Sequence, residues 1–332
     1  MLEHGGNLAR ASKEYGIPEE RWLDLSTGIN PMGYPVPPAP PSIWQRLPGD
    51  VEPLLRAARE YYLAVDLLLV AGSQAAIQAL PRLRPHSRVT LAALTYNEYA
   101  HAWKRQGHAV QAVAPREFDA RIAETDVLIV CNPNNPTGER IEPERLLDWH
   151  VRLAAHDGWL IVDEAYIDSM SDASVAPFAH RPGLIVLRSL GKFFGLAGAR
   201  VGFVVASGAL LRALEDELGP WSVAGPAQFV AIAALRDRDW QAQTRAALVT
   251  SGRRLHALLA RAGIAAQGTS LFQWCQHEQA VELHRALARH AILTRWIQDG
   301  ECGGIRIGLP GEEMDWRRLE RVLDLWKELQ CV

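Results

Sequence analysis

The strongest constraint on the fold is the stretch 184–205, where one lysine sits between two apolar runs that each read as a buried strand. LIVLRS (184–189) leads toward Lys192 and VGFVV (201–205) leaves it. The lysine therefore falls in the turn between two strands, and Gly191, Gly195 and Gly198 give that turn its backbone freedom. A lysine amine is a poor nucleophile while solvated and charged. Desolvation lowers its pKa and lets it condense with an aldehyde, which makes Lys192 the candidate reactive group. Arg200, eight residues on, is a fixed cation suited to a phosphate.

Upstream, strands and helices alternate. LLLV (67–70) ends at Gly72, and a helix opens at Ser73. RVTLAA (88–93) precedes a helix that follows TYNEY, and DVLIVC (126–131) precedes a helix at about 143–156. GWLIVDEAY then gives a strand that ends on Asp163, Glu164 and Tyr166. This alternation predicts an α/β fold with a mainly parallel central sheet, whose ligands bind beyond the carboxyl ends of the strands. Asn135, Asp163, Tyr166, Ser189 and Lys192 belong to that edge. The strand-glycine-helix junction at Ser73 and Gln74 points backbone N–H groups and a positive helix end at one spot, as a phosphate requires.

At 332 residues the chain exceeds the size at which single cores stop growing, so a large domain at 42–208 and a smaller α+β domain at 209–332 are expected. Residues 1–41 form an N-terminal arm, which a proline-rich run from Gly28 to Pro41 keeps out of long helices. After residue 209 the pattern becomes long helices, including one continuous helical run over 227–263. A last helix from Asp315 sets Trp316, Leu319, Leu323 and Trp326 on one core-facing stripe. Net charge is −3, with no basic face for nucleic acid, and no run approaches the roughly 20 apolar residues that span a membrane. Cys131, Cys275, Cys302 and Cys331 have no paired spacing, so no metal site or disulfide framework is expected. The first residues lack the apolar run of a signal peptide, and the expected compartment is the cytoplasm.

NPNNPTG (132–138), DEAY (163–166) and SLGKFFGLAGAR (189–200), in that order, resemble the fold type I pyridoxal phosphate enzymes, the aspartate aminotransferase superfamily. The resemblance implies pyridoxal 5'-phosphate as cofactor and a catalytic set of Lys192, Asp163 and Tyr166. Pyridoxal phosphate serves as an electron sink only while its ring nitrogen stays protonated, and a buried carboxylate enforces that. Asp163 takes this place in the pattern, Asn135 and Tyr166 serve the ring oxygen, and Tyr96 stacks on the ring. Ser73, Gln74, Ser189 and Arg200 hold the phosphate. The family also implies a homodimer with active sites at the subunit interface. Two positions depart from it: Leu47 in RLPGDVEPL, where relatives commonly offer a tyrosine to the partner subunit, and Gly191, where many have Ser or Thr.

HGGN (4–7) and LDLSTGINPMG (23–33) resemble the threonine-phosphate decarboxylase branch, close to the histidinol-phosphate aminotransferases. There the arm closes over a small phosphorylated amino acid. His4, Gly5, Gly6, Asn135, Arg295 and Arg306 are then the expected substrate contacts. The resemblance implies decarboxylation of L-threonine O-3-phosphate in cobalamin biosynthesis, with a histidinol-phosphate-type aminotransferase as the alternative. A cofactor-binding regulator on the same fold would need a DNA-binding appendage or a basic surface, and the sequence supplies neither.

Overall fold

The computed structural model describes residues 4–170, 173–299 and 302–330. The chain forms two compact units. One comprises Gly33–Asn135 with Arg140–Ala242, the other Met1–Met32, Pro136–Glu139 and Gln243–Val332.

The first unit is built on a seven-stranded sheet in the order Leu67–Val70, Gly202–Val205, Leu184–Ser189, Trp159–Asp163, Val127–Cys131, Arg88–Ala92, Ala109–Val113. Only Gly202–Val205 runs antiparallel to its neighbours. Val127–Cys131 and Leu184–Ser189 are buried along their whole length, as continuous apolar strands covered on both faces must be. The edge strand Ala109–Val113 is only partly buried, so its sequence carries no continuous apolar signal. Helix Glu52–Tyr62 starts with Pro53 in its first turn and buries Leu54, Ala57, Ala58 and Tyr62, a helical stripe that packs on helix Gly225–Arg236.

The boundaries of the units differ from a cut at 41/42 and 208/209. Tyr34 N–H donates to Phe194 O at 2.8 Å, which ties the proline-rich run to the lysine turn. Helices Gly208–Leu218 and Gly225–Arg236 pack on Ser73–Ala79 and Glu52–Tyr62, so they belong with the sheet. The long helical run is interrupted at Asp237, whose Oδ1 accepts from Trp240 N–H at 3.0 Å and caps a new helix, Arg238–Arg261.

The second unit holds an antiparallel sheet ordered Arg295–Asp299, Cys302–Gly308, Phe272–Gln276, Gln267–Gly268, and a parallel pair of Leu23–Asp24 with Ile292–Leu293. The arm is folded here: residues Leu8–Tyr15 form a helix, and Ala11 and Trp22 pack with Ala288 and Ala291. The last helix, Glu313–Gln330, buries the predicted stripe of Trp316, Leu319, Leu323 and Trp326.

Candidate active site

Ser73, Gln74, Tyr96, Asn135, Asp163, Tyr166, Ser189, Lys192 and Arg200 line one pocket at the carboxyl edge of the large sheet. Cys131, Pro133, Ala165, Gly191 and Ala197 complete its wall. The local sequence explains the convergence. Parallel strands end on the same edge: Cys131 is paired with Asp163, and Asp163 with Leu187, two residues before Ser189.

Gly72 turns the chain from its strand into helix Ser73–Ala79 at φ +71°, and no side chain caps the helix start. A Cβ at Gly72 would lie 2.6 Å from Arg200 Nη2, so the guanidinium rests directly on that turn. A Cβ at Gly202 would lie 2.7 Å from Ser73 N, so the same turn is packed from a second side. These two glycines let a cation and a helix start approach each other closely.

Asp163 is 7% exposed. Its Oδ2 accepts from the Tyr99 hydroxyl at 2.8 Å and its Oδ1 from Ala165 N–H at 3.0 Å. Burial pushes this carboxyl above the usual range, while Tyr99, Ala165 N–H and the Lys192 cation pull it back. Lys192 Nζ stands 5.4 Å from the centre of the Tyr166 ring. Ser189 Oγ accepts from Gly191 N–H at 3.1 Å. A Cβ at Gly191 would come within 3.2 Å of that oxygen, a tight approach, and 3.4 Å of Ala197 Cα.

The side chain of Gln74 is held by two neighbours. Its Oε1 accepts from Tyr96 Oη at 3.2 Å and its Nε2 donates to the buried Glu98 at 2.7 Å. Of the three asparagines in the loop, Asn132 and Asn134 are structural. Asn132 exchanges two hydrogen bonds of 2.9 Å with the backbone of Ile141, and Asn134 binds Thr95 Oγ1 and Leu94 O. Asn135 is the one on the pocket wall.

Tyr99 and Cys131 were missed from sequence. Tyr99 reads as an ordinary apolar helix position three residues after Tyr96, and the lone Cys131 as a strand residue. Burial pushes the Cys131 thiol up to about 12, and nearby Asp163 adds to the effect, so it is an inert wall rather than a nucleophile.

The second unit gathers the arm and the two arginines. Arg295 stands directly opposite Arg306 across antiparallel strands. Arg306 is buried, its Nη2 donates to Ser26 O at 2.5 Å, and its guanidinium lies 5.3 Å from the Phe272 ring centre. Ser26 Oγ accepts from Gly6 N–H at 2.7 Å and donates to Asp24 Oδ1 at 2.6 Å. Gly5 lies so close to Ser26 that a Cβ would fall 2.4 Å from its carbonyl oxygen. His4 is exposed at the arm's end. Leu47, by contrast, is a 68% exposed apolar side chain of the sheet unit. Among the described residues no His, Cys, Asp or Glu cluster could hold a metal, and no helix is long and apolar enough to cross a membrane.

Residues 48–322 match the family described as aminotransferase class I and II. The chain is 49% identical to a threonine-phosphate decarboxylase of Pseudomonas aeruginosa over 99% of both chains. It is 43% identical to one from Sinorhizobium sp over 97% of both. The fold also matches a solved histidinol-phosphate aminotransferase from Sinorhizobium meliloti in complex with pyridoxal-5'-phosphate, at a TM-score of 0.81 and 18% identity, covering 99% of each chain. With the lysine, carboxylate and arginine motifs converging on one pocket and this likeness along its length, the chain belongs to the class I and II aminotransferase family.

Proposed function

We propose that this chain catalyses the pyridoxal phosphate-dependent decarboxylation of L-threonine O-3-phosphate to (R)-1-amino-2-propanol O-2-phosphate and CO2, in cobalamin biosynthesis. The observation that carries the choice of reaction is the full-length likeness to two relatives named for it. The pocket supports the cofactor: a buried carboxylate, a half-buried lysine and an arginine resting on an uncapped helix start are the groups this ring, aldehyde and phosphate need. When bound, pyridoxal phosphate supplies an electron sink for the pair released as the Cα–carboxylate bond breaks.

Each residue then has a task. Lys192 would hold the cofactor through its amine and would be the group that returns a proton to Cα. Tyr166, beneath its ammonium, orients it. Asp163 would face the ring nitrogen; burial raises its pKa, and Tyr99, Ala165 N–H and Lys192 offset part of that rise. Backbone N–H groups of Ser73 and Gln74, the Ser189 hydroxyl and Arg200 would hold the phosphate. Ser189 already accepts from Gly191 N–H, so its own hydrogen is available to donate. Asn135 and Tyr166 would serve the ring oxygen, and Tyr96 would cover the ring face.

Arg295 and Arg306 are assigned to the substrate's phosphate and carboxylate, with His4 and the amides of Gly5 and Gly6 as further anion donors. The two arginines stand opposite each other on adjacent strands, and a guanidinium fork suits either anionic group. We place the enzyme in the cytoplasm as a homodimer. The thiols of Cys131 and Cys275 are free and buried, and Trp44, Leu47 and Trp221 leave apolar surface on the sheet unit for a second copy to cover.

Threonine phosphate supplied to the holoenzyme is expected to yield CO2 and aminopropanol phosphate in equal amounts. A 2-oxo acid formed at the rate of substrate loss would instead establish the aminotransferase reading.

A further inference from the structure

Next to the pocket, three charged side chains are buried together. Arg188, Glu164 and Asp168 are 4%, 0% and 3% exposed. Arg188 Nη1 donates to Glu164 Oε2 at 2.6 Å and to Ser174 Oγ at 3.0 Å, and its Nη2 donates to Asp168 Oδ1. Ser174 Oγ and Val175 N–H bind the two oxygens of Glu164 at 2.6 and 2.8 Å. The Tyr62 ring centre lies 4.4 Å from the guanidinium carbon.

A buried ion cluster is a weak source of stability, since desolvation cancels most of the Coulombic gain. Its placement suggests another purpose. Glu164 follows Asp163, Asp168 lies two residues after Tyr166, and Arg188 precedes Ser189. Arg188 and Ser189 are consecutive on strand Leu184–Ser189 with side chains on opposite faces, so anchoring Arg188 fixes the backbone that carries Ser189. The guanidinium fork is planar and rigid, and it holds two carboxylates at a fixed separation, which a lysine cannot do.

We propose that Arg188, clasping Glu164 and Asp168, is a positioning residue for the cofactor pocket, fixing the Tyr166 turn against the Ser189 strand. This rests on reading the Lys192 pocket as the cofactor site.

The test compares Asp168→Asn with Ser174→Ala. Both remove a partner from the cluster, but only Asp168 lies on the turn that carries Tyr166. Apo chains are followed by thermal unfolding and titrated with pyridoxal phosphate by fluorescence, and the holoenzymes are assayed for kcat and KM. Both variants should lower the unfolding midpoint. Asp168→Asn alone should weaken cofactor binding about tenfold and lower kcat about tenfold, with KM changed less than about twofold, the scale of one charge-assisted hydrogen bond. An Asp168→Asn chain whose cofactor affinity and kcat fall no further than those of Ser174→Ala overturns the clasp alone. A wild-type chain that fails to bind pyridoxal phosphate overturns the cofactor reading with it. Should Asp168→Asn fail to fold, Arg188→Lys carries the same comparison, and cofactor affinity within about twofold of wild type overturns the proposal.

Discussion

The Tyr99 hydroxyl donates to Asp163 Oδ2 at 2.8 Å, and both groups are buried. Tyr99 comes from helix Glu98–Arg105 and Asp163 from the end of a central strand, so the contact ties a second element to a carboxylate of the pocket wall. It also has an electrostatic sign. Burial raises the pKa of Asp163, and the tyrosine's hydrogen bond is the largest of the influences that lower it.

Tyr99→Phe should therefore push the Asp163 pKa higher still. The acid limb of the kcat profile should move to higher pH, and kcat should fall roughly tenfold or more, the size of one hydrogen bond to a charged group. The pH–rate profile is the measurement. An acid limb that does not move would show that Asp163 does not depend on Tyr99.

Asp163→Asn should separate function from stability. The folded-state pKa of Asp163 lies above its unfolded value, so its ionised form penalises the fold. That penalty is absent below the unfolded pKa and develops as pH rises through the folded one. The apo variant should melt above wild type at neutral pH, with the gap closing as pH falls toward about 4. Turnover should drop about a hundredfold or more, as for loss of one electrostatic partner at a reacting centre. Thermal unfolding of apo chains across pH, with kcat alongside, tests both halves.

Gly72→Ala should act on the phosphate. The new methyl would fall 2.6 Å from Arg200 Nη2 at a backbone φ of +71°, so either the turn or the guanidinium must move. Affinity for pyridoxal phosphate should drop toward that for pyridoxal, while pyridoxal binding changes little. Equal loss for both compounds in a binding titration would mean that Arg200 does not select the phosphate.

Why some of this was legible from sequence and some was not follows from the kind of signal each residue leaves. Lys192, Asp163, Ser189 and Ser73 stand at abrupt changes of pattern, where an apolar run gives way to glycine or charge, and strand ends on a parallel sheet must share an edge. Tyr99 and Arg188 leave no such mark. Tyr99 occupies a helix position that burial alone explains, and Arg188 interrupts a buried strand whose compensating carboxylates lie 20 and 24 residues away. The unit boundary failed to show for a related reason. Helix Gly225–Arg236 joins the sheet unit because of what its apolar face meets, and composition carries no trace of that partner.

Arg295 and Arg306 are expected to behave differently although they stand opposite each other. Each can ligate an anion, but Arg306 also donates to Ser26 O, and Ser26 Oγ holds Gly6 N–H. Arg306→Gln removes an anion ligand together with this tie of the arm, whereas Arg295→Gln leaves the Arg306–Ser26 tie in place. Both should weaken threonine phosphate about tenfold or more, the scale of one charge-assisted hydrogen bond. Only Arg306→Gln should also speed proteolytic cutting between residues 4 and 26, measured well below the melting point of either variant. An unchanged KM for threonine phosphate in Arg295→Gln would remove that arginine from the substrate. Equal cutting rates in the two variants would show that the arm is held by Ser26 and Asp24 without help from Arg306.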